Sequence, residues 1–152
     1  MGTNGYALQT PIMKKLSCFL AILSCVLVSC LSVKATDYYL DSDGGNDANP
    51  GTSPAQAWKT TGVLNNRALQ PGDSVNLKAG TSYTTEDFQT VIVLTSTDSG
   101  TAAEPVIIRS YGTGAKPLLY QTYSMTRNSA VIGFYGGVSH VIIDGLHLKG
   151  IN

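Results

Sequence analysis

The chain has 152 residues, room for one domain with a sizeable core, and 43% hydrophobic with 13% charged residues is ordinary globular composition. Ten basic and ten acidic residues cancel, and no cluster of Lys and Arg stands ready to neutralise phosphates, so no nucleic-acid partner is expected. All three cysteines, Cys18, Cys25 and Cys30, fall early, so beyond them a disulfide framework, a zinc finger and a thiol enzyme are excluded.

Those cysteines belong to a leader. Lys14 and Lys15 precede "LSCFLAILSCVLVSCLSV", an uncharged run from Leu16 to Val33, and basic-then-apolar order is the pattern of an export signal. Met13 then serves as the start, residues 1–12 form an upstream extension, and the signal peptide occupies 13–35. Two exits compete. "VKA" (Val33 to Ala35) fits signal peptidase and releases a chain beginning at Thr36, the exit we expect because strand-like sequence starts at Tyr38. "LVSC" (Leu27 to Cys30) resembles a bacterial lipobox, making Cys30 the alternative lipid attachment site and the one route to a membrane. An uncleaved anchor fits poorly, since a span needs about 20 apolar residues. The expected address is therefore secreted or periplasmic, with a surface lipoprotein as the alternative. Without its leader the chain carries seven basic and ten acidic residues, a charge of −3.

Next comes "YYLDSDGGNDANPGTSPAQAWKT", residues 38 to 60, with three aspartates, two asparagines and three glycines among positions 41 to 51. Asp41, Asp43 and Asp47 offer the hard oxygens that calcium takes. An EF-hand fails here: counted from Asp41, the fifth and sixth positions are Gly45 and Asn46, and the twelfth is Thr52 in place of glutamate. The plainer role is turn-making, with Asp and Asn side chains bonding nearby backbone. "SPAQAWKTTGVLNNRAL" then spaces Trp58, Val63, Leu64 and Leu69 helically, with Pro54 at a first turn and Pro71-Gly72 as a stop, which predicts one short helix within Ala55 to Leu69.

Every other element reads as strand: "DYYL", "DSVNLKAG", "TVIVL", "PVIIRSYG", "KPLLY", "AVIGF", "HVIIDG" and "LHLKG". Val75 with Leu77, Val106 with Ile108, and Val141, Ile143, Leu146 and Leu148 alternate and are expected to face inward. The gaps between runs are turns rather than helices, which excludes βαβ crossovers and leaves an antiparallel sandwich or a parallel solenoid.

The opening strand, the loop ending in N-P-G-T, the short helix, "LQPGDSVNLKAGTSY", "SGTAAEPVIIRSYGTGAKPLL" and "HVIIDGLHLKG" together resemble the N-terminal part of exported right-handed parallel β-helix proteins of the pectate-lyase-like superfamily. The resemblance covers 38–152 and implies an all-β solenoid whose short helix caps its first coils. It implies a polysaccharide or glycan ligand and, for the whole protein, a polysaccharide lyase acting on uronate-containing chains; a glycoside hydrolase or a non-catalytic adhesin are the alternatives. The chain stops at Asn152 after a strand pair, so an N-terminal fragment truncated at its C-terminus is expected, inactive by itself; a small self-contained domain is the rival. Calcium is implied only as a possibility in the full-length protein, and this segment shows no cofactor motif.

No residue is assigned to catalysis. His140 and His147 flank inward strand positions and so read as outward, with Asp144 as the one nearby partner. Arg109 and Lys149 are outward cations of the kind a substrate-facing sheet would need. Glu86, Asp87, Asp98 and Glu104 read as solvated loop carboxylates, because a glycosidase pair must face across a sugar. Ser139 in "GVSHV" lacks the second glycine of a nucleophile elbow, and "GTGAKP" is no phosphate loop. Exposed tyrosines remain candidates for stacking on sugar rings.

Overall fold

The computed structural model describes residues 34–84, 90–122 and 130–150. The expected leader, with Cys30 and Met13, and the carboxylates Glu86 and Asp87 lie outside these residues.

Nine strands form, and all but β3 fall where the apolar runs predict them: β1 (Asp37–Leu40), β2 (Ser74–Lys78), β3 (Ser82–Tyr83), β4 (Ile92–Leu94), β5 (Val106–Tyr111), β6 (Leu118–Tyr120), β7 (Ile132–Phe134), β8 (Val141–Asp144) and β9 (His147–Lys149). All pairings are parallel, and the sheets run β1-β2-β5-β8, β3-β6-β9 and β4-β7. From β2 onward the chain visits the three sheets in rotation and lays each new strand beside the one from its previous visit. Alternation decides what each strand buries. Val75, Leu77, Val106, Ile108, Ile92 and Leu119 are fully buried, and they form one core with Leu40, Trp58, Leu64 and Leu69.

The expected single helix within Ala55 to Leu69 is divided. A 3-10 turn covers Pro54–Gln56 and the helix α1 covers only Thr61–Asn65. Between them Trp58 leaves helical geometry and bridges Leu40 in parallel, its N–H donating to Tyr39 O at 2.9 Å while Asp41 N–H donates to Trp58 O at 2.8 Å. The cause is the free edge of β1, whose unpaired N–H and C=O groups need partners when buried. Gly51 supplies another, accepting from Tyr39 N–H at 2.8 Å. Its φ of 74° and its seat against the indole explain the N-P-G-T sequence, because a Cβ there would lie 2.2 Å from the Trp58 ring. Asn65 on α1 does the same for β4, accepting from Val93 N–H at 3.0 Å and donating to Val91 O at 3.2 Å. The segment from Asp41 to Leu69 thus closes two sheet edges. Tyr38 stacks on Trp58 at 5.2 Å, and the Arg67 guanidinium covers both rings.

Two further expectations change. Asp98 is no solvated carboxylate: it is 4% exposed, accepts from Leu69 and Thr95 N–H at 2.9 and 2.7 Å, and completes a capping box with Thr95. Ile143 and Leu148 do stand in register with buried Ile108 and Leu119, but they are 38% and 47% exposed. They lie on β8 and β9, the outermost strands of their sheets, and among the described residues no strand pairs beyond them.

Candidate functional site: the outer face of the four-stranded sheet

Residues that alternate with the core point out from β1, β2, β5 and β8, and the register arranges them in rows. One row is Asp37, Ser74, Ile107, Ile142; the next is Tyr39, Asn76, Arg109, Asp144; Lys78 and Tyr111 pair in a third. Polar and aromatic side chains concentrate on the β1, β2 and β5 part of this face, where they bond to or pack on one another.

Asn76 is the node of the first cluster. Although on the outer face, it is 3% exposed. Its amide nitrogen donates to Tyr38 O at 3.0 Å and to Ser74 Oγ at 2.8 Å, and its oxygen accepts from Arg109 Nε at 2.9 Å. The Ser74 hydroxyl donates to Asp37, whose carboxylate also stands 3.9 Å from Arg109 Nη2. Fixing Nε in this way presents a guanidinium whose side chain is 48% exposed, aimed and partly desolvated.

The second cluster joins the opening loop to the sheet. Asp41 Oδ1 accepts from Asp43 and Gly44 N–H at 3.1 and 3.0 Å, while Oδ2 holds Lys78 Nζ at 2.6 Å. Burial would raise the Asp41 pKa, yet the Lys78 ammonium and the two N–H groups outweigh it and the carboxyl sits below its ordinary value. The same bond holds the Lys78 pKa above its usual value. Beside Lys78, the Tyr39 and Tyr111 rings meet edge to face at 5.2 Å and 87°. Beneath, the buried Tyr83 hydroxyl donates to Leu40 O at 2.9 Å, and burial pushes its pKa up to about 12.

The other sequence candidates fall elsewhere. Asp47 accepts from Lys59 N–H, Thr60 N–H and the Thr60 hydroxyl at 2.8, 2.8 and 2.7 Å, tying the loop to the start of α1, and Asp43 is exposed. Among the described residues no three His, Cys, Asp or Glu side chains come together. His140 is exposed with φ 53°, and its backbone oxygen accepts from Val106 N–H at 3.0 Å; its ring lies 3.2 Å from Ser139. His147 and Lys149 are exposed on the three-stranded sheet, Asp144 on the four-stranded one, and Glu104 lies exposed in a turn. Of the sequence candidates, Arg109 and Asp41 enter the outer-face clusters, and Asp144 stands exposed in the row beside Arg109. Asn76, Lys78, Tyr39, Tyr111 and Asp37 were missed, though strand parity carried the signal: each is two residues from another outward position.

Bond-breaking chemistry is limited on this face. The Arg109 guanidinium has hydrogen-bond donors and no acceptor, and Asp41 holds Lys78 as an ammonium, so neither serves as a general base. Asp37 and Asp144 are three strand spacings apart, roughly 14 Å, beyond the ~5–9.5 Å of a glycosidase pair. What the face offers is oriented hydrogen-bond donors and acceptors flanked by aromatic rings, a surface for holding a polyhydroxylated ligand.

No family model matches the chain. A lacto-N-biosidase from Bifidobacterium longum is 38% identical over 79 residues, 51% of this chain and 5% of that protein. An alpha-1,3-galactosidase A from Akkermansia muciniphila is 32% identical over 72 residues, 47% of this chain and 11% of that protein. Among solved structures, a GH136 lacto-N-biosidase from Eubacterium ramulus superposes with TM-score 0.63 at 25% identity, covering 92% of this chain and 24% of its own. A rhamnogalacturonan lyase superposes with TM-score 0.56 at 21% identity over 75% of this chain and 28% of its own, a likeness of fold. The chain therefore spans a small part of the curated relatives and about a quarter of the solved neighbours.

Proposed function

We propose that the described residues are coils of a right-handed parallel β-helix in an exported carbohydrate-active protein, and that the outer face of the four-stranded sheet holds its glycan. Rotation through three parallel sheets supports the solenoid, and parallel crossovers within one sheet are right-handed in about 98% of cases. Its early coils are closed by the segment from Asp41 to Leu69, and a leader over 13–35 exports it, with Cys30 as the alternative lipid anchor. A mass spectrum of the mature protein tests the exit: Thr36 as first residue supports cleavage after Ala35, and an acylated Cys30 overturns it.

The single observation that carries the carbohydrate reading is the 38% identity over 79 residues to a lacto-N-biosidase, joined by the Eubacterium ramulus enzyme's likeness across 92% of this chain. Hydrolysis of glycosidic bonds is the reaction we favour over elimination, since both curated relatives are named as glycosidases. In this reading Arg109, aimed by Asn76 and Asp37, binds and orients sugar, while the acid and its partner carboxylate come from residues beyond this face. Calcium in the whole protein would need ligands other than Asp41, whose Oδ2 already faces the Lys78 ammonium.

The test incubates the full-length protein with oligosaccharides ending in lacto-N-biose or α-1,3-linked galactose, and separately with rhamnogalacturonan. Release of the neutral sugar supports hydrolysis. Ultraviolet absorbance from new unsaturated ends would instead establish the lyase, and binding without cleavage an adhesin.

A further inference from the structure

We propose that Tyr39, Lys78, Tyr111 and Asp41 form a subsite for one neutral pyranose ring, separate from the Asp37–Arg109 network. The inference rests on the glycan reading above and adds what part of the glycan is held, and by what.

Strand parity puts three of these side chains on one face. Tyr39 on β1, Lys78 on β2 and Tyr111 on β5 all point outward, and Lys78 and Tyr111 are Cα partners across the ladder. The two rings stand at 87° with centroids 5.2 Å apart, so they make two walls of a corner instead of one flat stack. Both tyrosines are half-buried, which fixes the rings while leaving part of each to solvent. A pyranose is amphipathic in the matching way. Its axial C–H groups form an apolar face that rests on a π surface, and its hydroxyls form a polar rim.

The rim finds partners at the open side of the corner. Lys78 Nζ gives one N–H to Asp41 Oδ2 at 2.6 Å and keeps two more for hydroxyl oxygens. Asp41 Oδ1 is already taken by the Asp43 and Gly44 N–H groups, which hold the carboxylate, and through it the ammonium, in place. Such preorganisation lowers the ordering cost of binding. Charge selects against an acidic sugar: Lys78 is neutralised by Asp41, and a uronate carboxylate would have to displace it. Burial raises the Tyr111 pKa, with the Asp41 charge adding to it, so its phenol stays a neutral hydrogen-bond donor.

The probe is lacto-N-biose, titrated calorimetrically into the full-length protein, with glucuronic acid in parallel. Tyr111→Ala is expected to weaken lacto-N-biose binding by about tenfold or more and Tyr39→Ala by about threefold or more. Tyr111→Phe, which keeps the ring and loses the phenol donor, weakens binding less than Tyr111→Ala, and Lys149→Ala on the three-stranded sheet leaves affinity unchanged. Circular dichroism confirms that each variant is folded. The subsite is overturned if folded wild-type protein does not bind lacto-N-biose, if Tyr111→Ala binds as tightly as wild type, or if glucuronic acid binds more tightly. A protein that cleaves glycans yet fails these tests keeps the functional reading and loses the subsite. One that passes them and cleaves nothing keeps the subsite and loses the hydrolysis.

Discussion

The two faces of the four-stranded sheet are built from the same strands, residue by alternate residue, and they answer to different pressures. On the inner face Val75 stacks on Ile108 and Leu77 on Leu40, and with Val106 they lie in one core with no exposure. On the outer face Asp37, Tyr39, Asn76, Lys78, Arg109 and Tyr111 form bonded clusters that the core does not need. Apolar stacking explains the inner set completely, because each strand buries its side chains against the strand above and below. A solvated face needs only polarity, whereas this one fixes an arginine through a buried asparagine, the order on which the proposed glycan site rests.

The comparison is broken most severely from inside. Leu77→Ala removes a side chain at 0% exposure and is expected to cost about 2–5 kcal/mol, measured by urea unfolding. Gly51→Ala forces a Cβ into the Trp58 ring at a φ of 74°, and about 1–3 kcal/mol is expected. On the outer face, Asn76→Ala leaves the Tyr38 carbonyl with one bond fewer and frees Arg109, with an expected cost of about 1–2 kcal/mol in stability and a larger loss in glycan affinity. Arg109→Gln, at an exposed site, costs under about 1 kcal/mol yet weakens glycan binding, so it separates the two pressures most cleanly. An outer-face variant that destabilised as much as Leu77→Ala would erase the distinction.

The smallest expected effect is acid sensitivity. Asp41 and Asp47 both sit below the ordinary 3.8: their partial burial opposes ionisation, but Lys78 with the Gly44 and Asp43 N–H groups, and Thr60 with Lys59 N–H, outweigh it. A lowered folded-state pKa gives stability that is whole above the unfolded value and lost as pH falls through the folded one. Tm is therefore expected to hold between about pH 5 and 7 and to drop below about pH 4, less so in Lys78→Met. An unchanged acid limb in that variant would detach the opening loop from the outer face.

Much of this fold was legible because strand burial has period two. Every apolar run became a strand, and "PGD" reads in hindsight as a clamp: Asp73 accepts from Gln70 N–H and from Thr36 N–H, both at 2.8 Å. Local spacing failed where a distant partner decided. Trp58 fitted a helical period, but the free edge of β1 drew it into a bridge with Leu40. Asp98 looked like a solvated loop residue because its three-residue turn has no sequence period, and the Leu69 N–H it accepts is far along the chain. Of the candidate site, Arg109 was foreseen as outward, but its partners required the register between strands, which no single strand's sequence contains.

The central claim is that the outer face of the four-stranded sheet is the glycan-facing surface. A crystal structure of the full-length protein with a bound oligosaccharide ending in lacto-N-biose tests it most directly. The account predicts sugar density over Asn76 and Arg109 and against the Tyr39–Tyr111 corner; density confined to the outer surface of β3-β6-β9 or β4-β7, with this face bare, would contradict it.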